Sequence, residues 1–149
     1  MITPDELEIL RKPEVQGYIV GTLKYVVPGD VLFYIETEQT FTVGKVNETE
    51  FQIIPDLQGY EWQLKEHLRF FLRIPDCISR DSERPERGLW GCLKPFISGG
   101  MNYYPYMDAT AMSDQVIVGF KCGCASIIHW IGTPRLALLK ALEWQIRRK

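Results

Sequence analysis

Gln115-Val116-Ile117-Val118-Gly119-Phe120-Lys121-Cys122-Gly123-Cys124-Ala125-Ser126-Ile127-Ile128-His129-Trp130-Ile131 decides the fold class. Val116, Val118 and Phe120 alternate with Ile117 and Gly119, the period of a strand rather than a helix. Ala125 to Ile131 is a second apolar run. Two such runs joined by Lys121-Cys122-Gly123-Cys124 predict a β-hairpin. Gly132-Thr133-Pro134 follows as breaker, N-cap and first-turn proline. Leu138, Leu142 and Ile146 form one stripe with Leu139 beside it, which predicts a helix from Pro134 to about Arg147. Arg147, Arg148 and Lys149 suit the negative end of its dipole.

Upstream, Thr3-Pro4-Asp5-Glu6 repeats the same helix-start device. Leu7 and Leu10 share a face, and Pro13 is read as the end of that helix. Gly17 to Val27, rich in β-branched and aromatic residues, reads as a strand up to the turn Pro28-Gly29-Asp30. Val31 to Ile35, Phe41 to Val46 and Phe51 to Ile54 read as further strands, a meander with one buried face. Tyr60 to Arg73 reads as a helix, because Leu64, Leu68, Phe71 and Leu72 fall at i, i+4, i+7 and i+8. Residues 74–114 lose periodicity and are expected to hide short elements. The expected architecture is α+β: one domain over residues 1–149, mostly antiparallel sheet, with two or three helices on one face. Asp76 to Arg87 is the one candidate linker, and it would leave halves too small for independent cores.

Composition narrows the function classes. The chain has 149 residues, 46% hydrophobic and 24% charged, which is ordinary for a globular protein. No run approaches the ~18 apolar residues of a membrane helix, and the acidic N-terminus lacks the apolar core of a secretory signal. A cytoplasmic protein with no membrane partner is therefore expected. The net charge of −2 is unevenly spread. Residues 1–76 hold 13 acids and 7 bases, whereas residues 120–149 hold one acid and six bases. A basic end could meet a partner with an acidic patch, or simply be a solvated face.

Cys77, Cys92, Cys122 and Cys124 have no regular spacing and do not read as a disulfide framework. Cys122-Gly123-Cys124 could offer zinc two thiolates, with Cys77, Cys92 or His129 completing the set. Structural zinc sites favour paired Cys-x2–4-Cys knuckles, however, so inert thiols fit the spacing better. His67 and His129 are the only histidines, and either could serve a cysteine as base. No phosphate-binding Gly-rich loop, EF-hand or His-Glu-x-x-His motif occurs, and Glu36 with Glu38 fits a solvated hairpin edge. No cofactor is expected.

Trp90, Phe96, Met101, Tyr103, Tyr104, Tyr106 and Met107 crowd into 18 positions among glycines and prolines. Such residues are enriched at interface centres, and the alternative is a loop packed on its own aromatics. Only Lys94 lies among them, which disfavours single-stranded nucleic acid. The expectation is a non-catalytic domain of the inhibitor, immunity or adaptor kind. It would recognise a protein through an aromatic-rich loop, with Trp90, Tyr103, Tyr104 and Tyr106 as contacts. The competing expectation is a small enzyme or ligand binder. Its pocket would lie between residues 88–107 and the 115–131 hairpin and would hold a cysteine and His129.

Overall fold

The computed structural model describes residues 2–148; Met1 and Lys149, and with Lys149 part of the basic tail, lie outside them. The chain is α+β, with two antiparallel sheets and helices packed with them. It divides into two compact units. One is formed by residues up to Tyr18 together with those from Asp76 on, and the other is Ile19–Pro75, inserted between them. The boundaries therefore fall at 18/19 and 75/76. The Asp76 to Arg87 stretch, read above as the candidate linker, is tied down. Its Asp76 carbonyl accepts from the Leu89 amide at 2.8 Å, and the Cys77 carbonyl from the Trp90 amide at 2.9 Å.

Helix α1 (Pro4–Leu10) starts as its sequence implies, with the Thr3 side chain accepting from the Glu6 amide. Pro13 does not end it. Arg11 closes α1, and Pro13 opens a second helix, α2 (Pro13–Leu23). The strand expected from Gly17 is thus corrected to helix. Val15, Ile19 and Leu23 lie at i, i+4 and i+8 and are all buried, so a continuous apolar stripe outweighs β-branched propensity. Lys24, in the left-handed region at φ 59°, ends it.

The inserted unit is the meander β1 (Val31–Tyr34), β2 (Gln39–Val46), β3 (Glu50–Leu57) and β4 (Tyr60–Leu64), a 3₁₀ turn (Lys65–Phe70), then β5 (Phe71–Ile74). The sheet order is β4-β3-β2-β1-β5. The helix expected over Tyr60 to Arg73 is a second correction. Gln58 and Gly59, both at positive φ, turn the chain straight back along β3. Leu68, in the 3₁₀ turn, and Phe71, on β5, then reach the core without an α-helix. The Phe71 ring lies 5.0 Å from Tyr34 and 6.1 Å from both Phe41 and Phe51.

Arg73 on β5 is 3% exposed. Its guanidinium donates to the Lys24 carbonyl at 3.1 Å and the Tyr25 carbonyl at 3.3 Å, and lies 3.5 Å from the Asp30 carboxylate. It holds the left-handed end of α2 and the start of the meander together. Arg73→Met should cost about 3 kcal/mol, because it removes the buried guanidinium that the Asp30 carboxylate and two carbonyls share. Equilibrium urea unfolding measures this; a midpoint equal to that of the wild type would remove Arg73 from the account.

Candidate protein-binding face

The other unit builds a four-stranded sheet in the order β6-β7-β8-β9: β6 (Phe96–Ser98), β7 (Met101–Ala109), β8 (Val116–Cys122) and β9 (Ala125–Gly132). The aromatic stretch is therefore not a loop. Gly99 and Gly100, at φ 60° and 78°, form the tight turn between β6 and β7, and the tyrosines lie along nine residues of β7. The expected hairpin is present, with Gly123 at φ 64° in its two-residue turn. The last helix, α4 (Pro134–Arg148), packs on β8 and β9, and α1 and the short α3 (Leu89–Cys92) pack against α4.

Alternation divides every strand between two faces. The helix side carries Phe96, Tyr103, Phe120 and Trp130, whose rings lie 5.9, 5.8, 5.0 and 6.3 Å from that of Trp144 on α4. Tyr103 also stacks on Phe96 at 5.0 Å. The opposite face bears three cross-strand rows: Asp108–Ile117–Ile131, Tyr106–Gly119–His129 and Tyr104–Lys121–Ser126. Ile97 of β6 extends it. Ile97, Tyr104 and Ile131 are 73%, 50% and 57% exposed, so this face is open.

The open face is ordered by its own contacts. The Tyr106 hydroxyl lies 2.7 Å from the Ser126 hydroxyl, and the Lys121 ammonium sits 4.4 Å over the Tyr106 ring. Gly119 is required between Tyr106 and His129, because a Cβ there would fall 2.3 Å from the Ile128 carbonyl oxygen. The middle row consequently has no side chain between a phenol and an imidazole.

Of the four expected contact residues, the structure brings Tyr104 and Tyr106 together on this face. Tyr103 points the other way, into the Trp144 cluster. Trp90 sits half-buried on α3, in the helix layer. The open face also gathers Ile97, Ile117, Lys121 and Ile131, which were not singled out; carrying the hairpin alternation across to β7 would have found them. Apart from Lys121, the described bases of the basic end lie on α4. Arg135 lies 3.4 Å from Glu6, and Arg147 lies 3.6 Å from Glu14 and 3.3 Å from Glu143, so α1, α2 and α4 partly neutralise one another.

The thiols are dispersed. All four cysteines are free. Cys92 is buried in the helix layer, where its thiol donates to the Glu86 carbonyl at 3.2 Å and its carbonyl accepts from the Gln145 amide at 3.1 Å. His129 lies on the opposite side of the sheet. Cys122 pairs with Ala125 at the end of the hairpin, and Cys124 is exposed in the turn. His67 is in the inserted unit, beside Phe70. Among the described residues, no three His, Cys, Asp or Glu side chains are grouped to hold a metal ion, and no helix is long and apolar enough to cross a membrane. The chain matches no protein-family model, no curated protein and no solved structure.

Burial pushes the Cys92 thiol up to about 11, with Lys94 lowering it slightly. It is protonated at neutral pH and a poor nucleophile. The folded state holds this proton more tightly than the unfolded chain, so the linked stability is complete below about pH 9 and is lost as pH rises through about 11. The loss attributable to Cys92 is about 3 kcal/mol. Burial also raises Cys77 and Tyr18, so both add in the same direction. Cys92→Ala should flatten the alkaline limb of a stability–pH profile; an unchanged limb would show the thiol to be solvated.

Proposed function

We propose that this chain is a non-catalytic protein-binding domain, of the inhibitor, immunity or adaptor kind, and that it recognises its partner through the open face of the β6–β9 sheet. One observation carries this reading. Among the described residues no helix packs on this face, which has Tyr104 and Tyr106 at its centre, aliphatic Ile97, Ile117 and Ile131 around them, and Lys121 among them. Rigid tyrosines ringed by aliphatic groups are the composition of interface centres. Contiguous exposed apolar surface of this kind commonly marks an interaction site. The complementary partner surface is apolar, with hydroxyl acceptors for the phenols and a carboxylate to meet Lys121. The protonated, buried Cys92 and the placement of His129 on the other face support binding over nucleophilic chemistry.

Affinity capture from the native cell, followed by titration of the captured protein, tests the reading. Tyr104→Ala with Tyr106→Ala should weaken binding about 30-fold or more, as removal of a hot spot does. Tyr103→Phe, a change inside the helix-side cluster, should leave binding unchanged. Equal affinity of the double variant and the wild type would overturn the assignment.

A further inference from the structure

A groove of about 370 Å³ opens in the inserted unit, at the low end of the size that holds a small molecule. Tyr34, Tyr60, Trp62, Phe70 and Phe71 line it together with Glu50. Sheet order explains the gathering. β4 and β5 are the two edges of the five-stranded sheet, yet only the 3₁₀ turn Lys65–Phe70 separates them in the chain. Both edges contribute rings to the one groove: Tyr60 and Trp62 from β4, Phe70 from the turn and Phe71 from β5. β1 adds Tyr34, the register partner of Phe71, with the two rings 5.0 Å apart and tilted by 49°.

Core packing accounts for only part of this cluster. Phe71 is buried, but Tyr60 and Phe70 are 70% and 44% exposed, and Tyr34 and Trp62 are half-buried. The faces of such rings carry partial negative charge. Glu50 adds a full one, and no lysine or arginine lines the groove. Glu50 bonds Asn47 through its backbone, and among the described residues no group pairs with its carboxylate. Arg69 lies over the Phe70 ring at 4.9 Å but is not part of the lining. His67 is, and it lies 3.9 Å from Glu66. Across Ile19–Pro75 eight acids stand against five bases, and one of each is tied up in the buried Arg73–Asp30 pair. The field of this unit therefore favours a cation.

We propose that this groove binds the trimethylammonium head of a small, choline-like molecule, with the aromatic rings against its methyl groups and Glu50 balancing its charge. Aromatic rings attract a cation through their negative faces, and a set of them around one cavity suits a quaternary ammonium. A primary ammonium fits less well, because it is strongly hydrated and each of its three N–H groups needs an acceptor. An anion is opposed by Glu50 and by the excess of acids. The unpaired carboxylate also separates a cation from an uncharged molecule of the same shape.

A magnetic-resonance titration of the full chain, following the Trp62 indole N–H, tests this. Choline is the probe, and neohexanol, its uncharged carbon isostere, is the control. Choline should bind with a dissociation constant of about 1 mM or below, and neohexanol at least about tenfold more weakly. That comparison uses the wild type and needs no variant to fold. Glu50→Gln keeps the shape of the side chain and removes its charge, and Tyr60→Ala trims a largely exposed ring. Each should weaken choline binding about fivefold or more. A Trp62 signal that does not move with choline at about 10 mM overturns the proposal. So does equal affinity for neohexanol, or choline affinity unchanged in either variant. A peptide carrying trimethyllysine that binds at least about tenfold more tightly than choline overturns the small-molecule assignment. No residue of the tyrosine face is altered, so this result is independent of partner binding there.

Discussion

The indole of Trp144 meets one aromatic ring from each of four strands: Phe96 of β6, Tyr103 of β7, Phe120 of β8 and Trp130 of β9. Aromatic contacts of this kind contribute roughly 0.5–1.5 kcal/mol each beyond the area they bury. Their larger consequence is register. Because side chains alternate along a strand, fixing one residue of each strand against Trp144 decides the orientation of every other residue in the sheet. A one-residue slip of β7 would exchange Tyr103 with Tyr104 and break the stack on Phe96. The open face is thus the complement of the Trp144 cluster. Gln145, the next residue of α4, is fully buried and locks the helix lengthwise, accepting from the Lys94 amide at 2.9 Å and donating to the Cys92 carbonyl.

Much of this was legible in the sequence where pattern and packing agree. The 116–131 hairpin, α4 and the strands β1 to β3 follow from alternation, a helical stripe and turn residues. Two segments were misread because one local signal was available and the wrong period won. In α2, β-branched residues masked the stripe Val15, Ile19, Leu23. Around β4 and β5, a chance helical spacing of Leu64, Leu68, Phe71 and Leu72 masked a hairpin that Gln58-Gly59 announces. The site was half legible. Aromatic density marked the right segment, but separating Tyr104 and Tyr106 from Tyr103 required knowing which side faces Trp144, a contact some forty residues distant in the chain.

The same constraint produces the open face. One layer of helices covers one side of the sheet and leaves the other side to solvent. The thiols take no part in that face. Cys92 is sequestered with the helices, whereas Cys122 and Cys124 mark the hairpin turn.

The direct test is a nuclear Overhauser spectrum of the aromatic region. Cross-peaks from the Trp144 indole to Phe96, Tyr103, Phe120 and Trp130, with none to Tyr104 or Tyr106, are the expected result. Cross-peaks from Trp144 to Tyr104 or Tyr106 would place the opposite face of β7 against the helix and contradict the account.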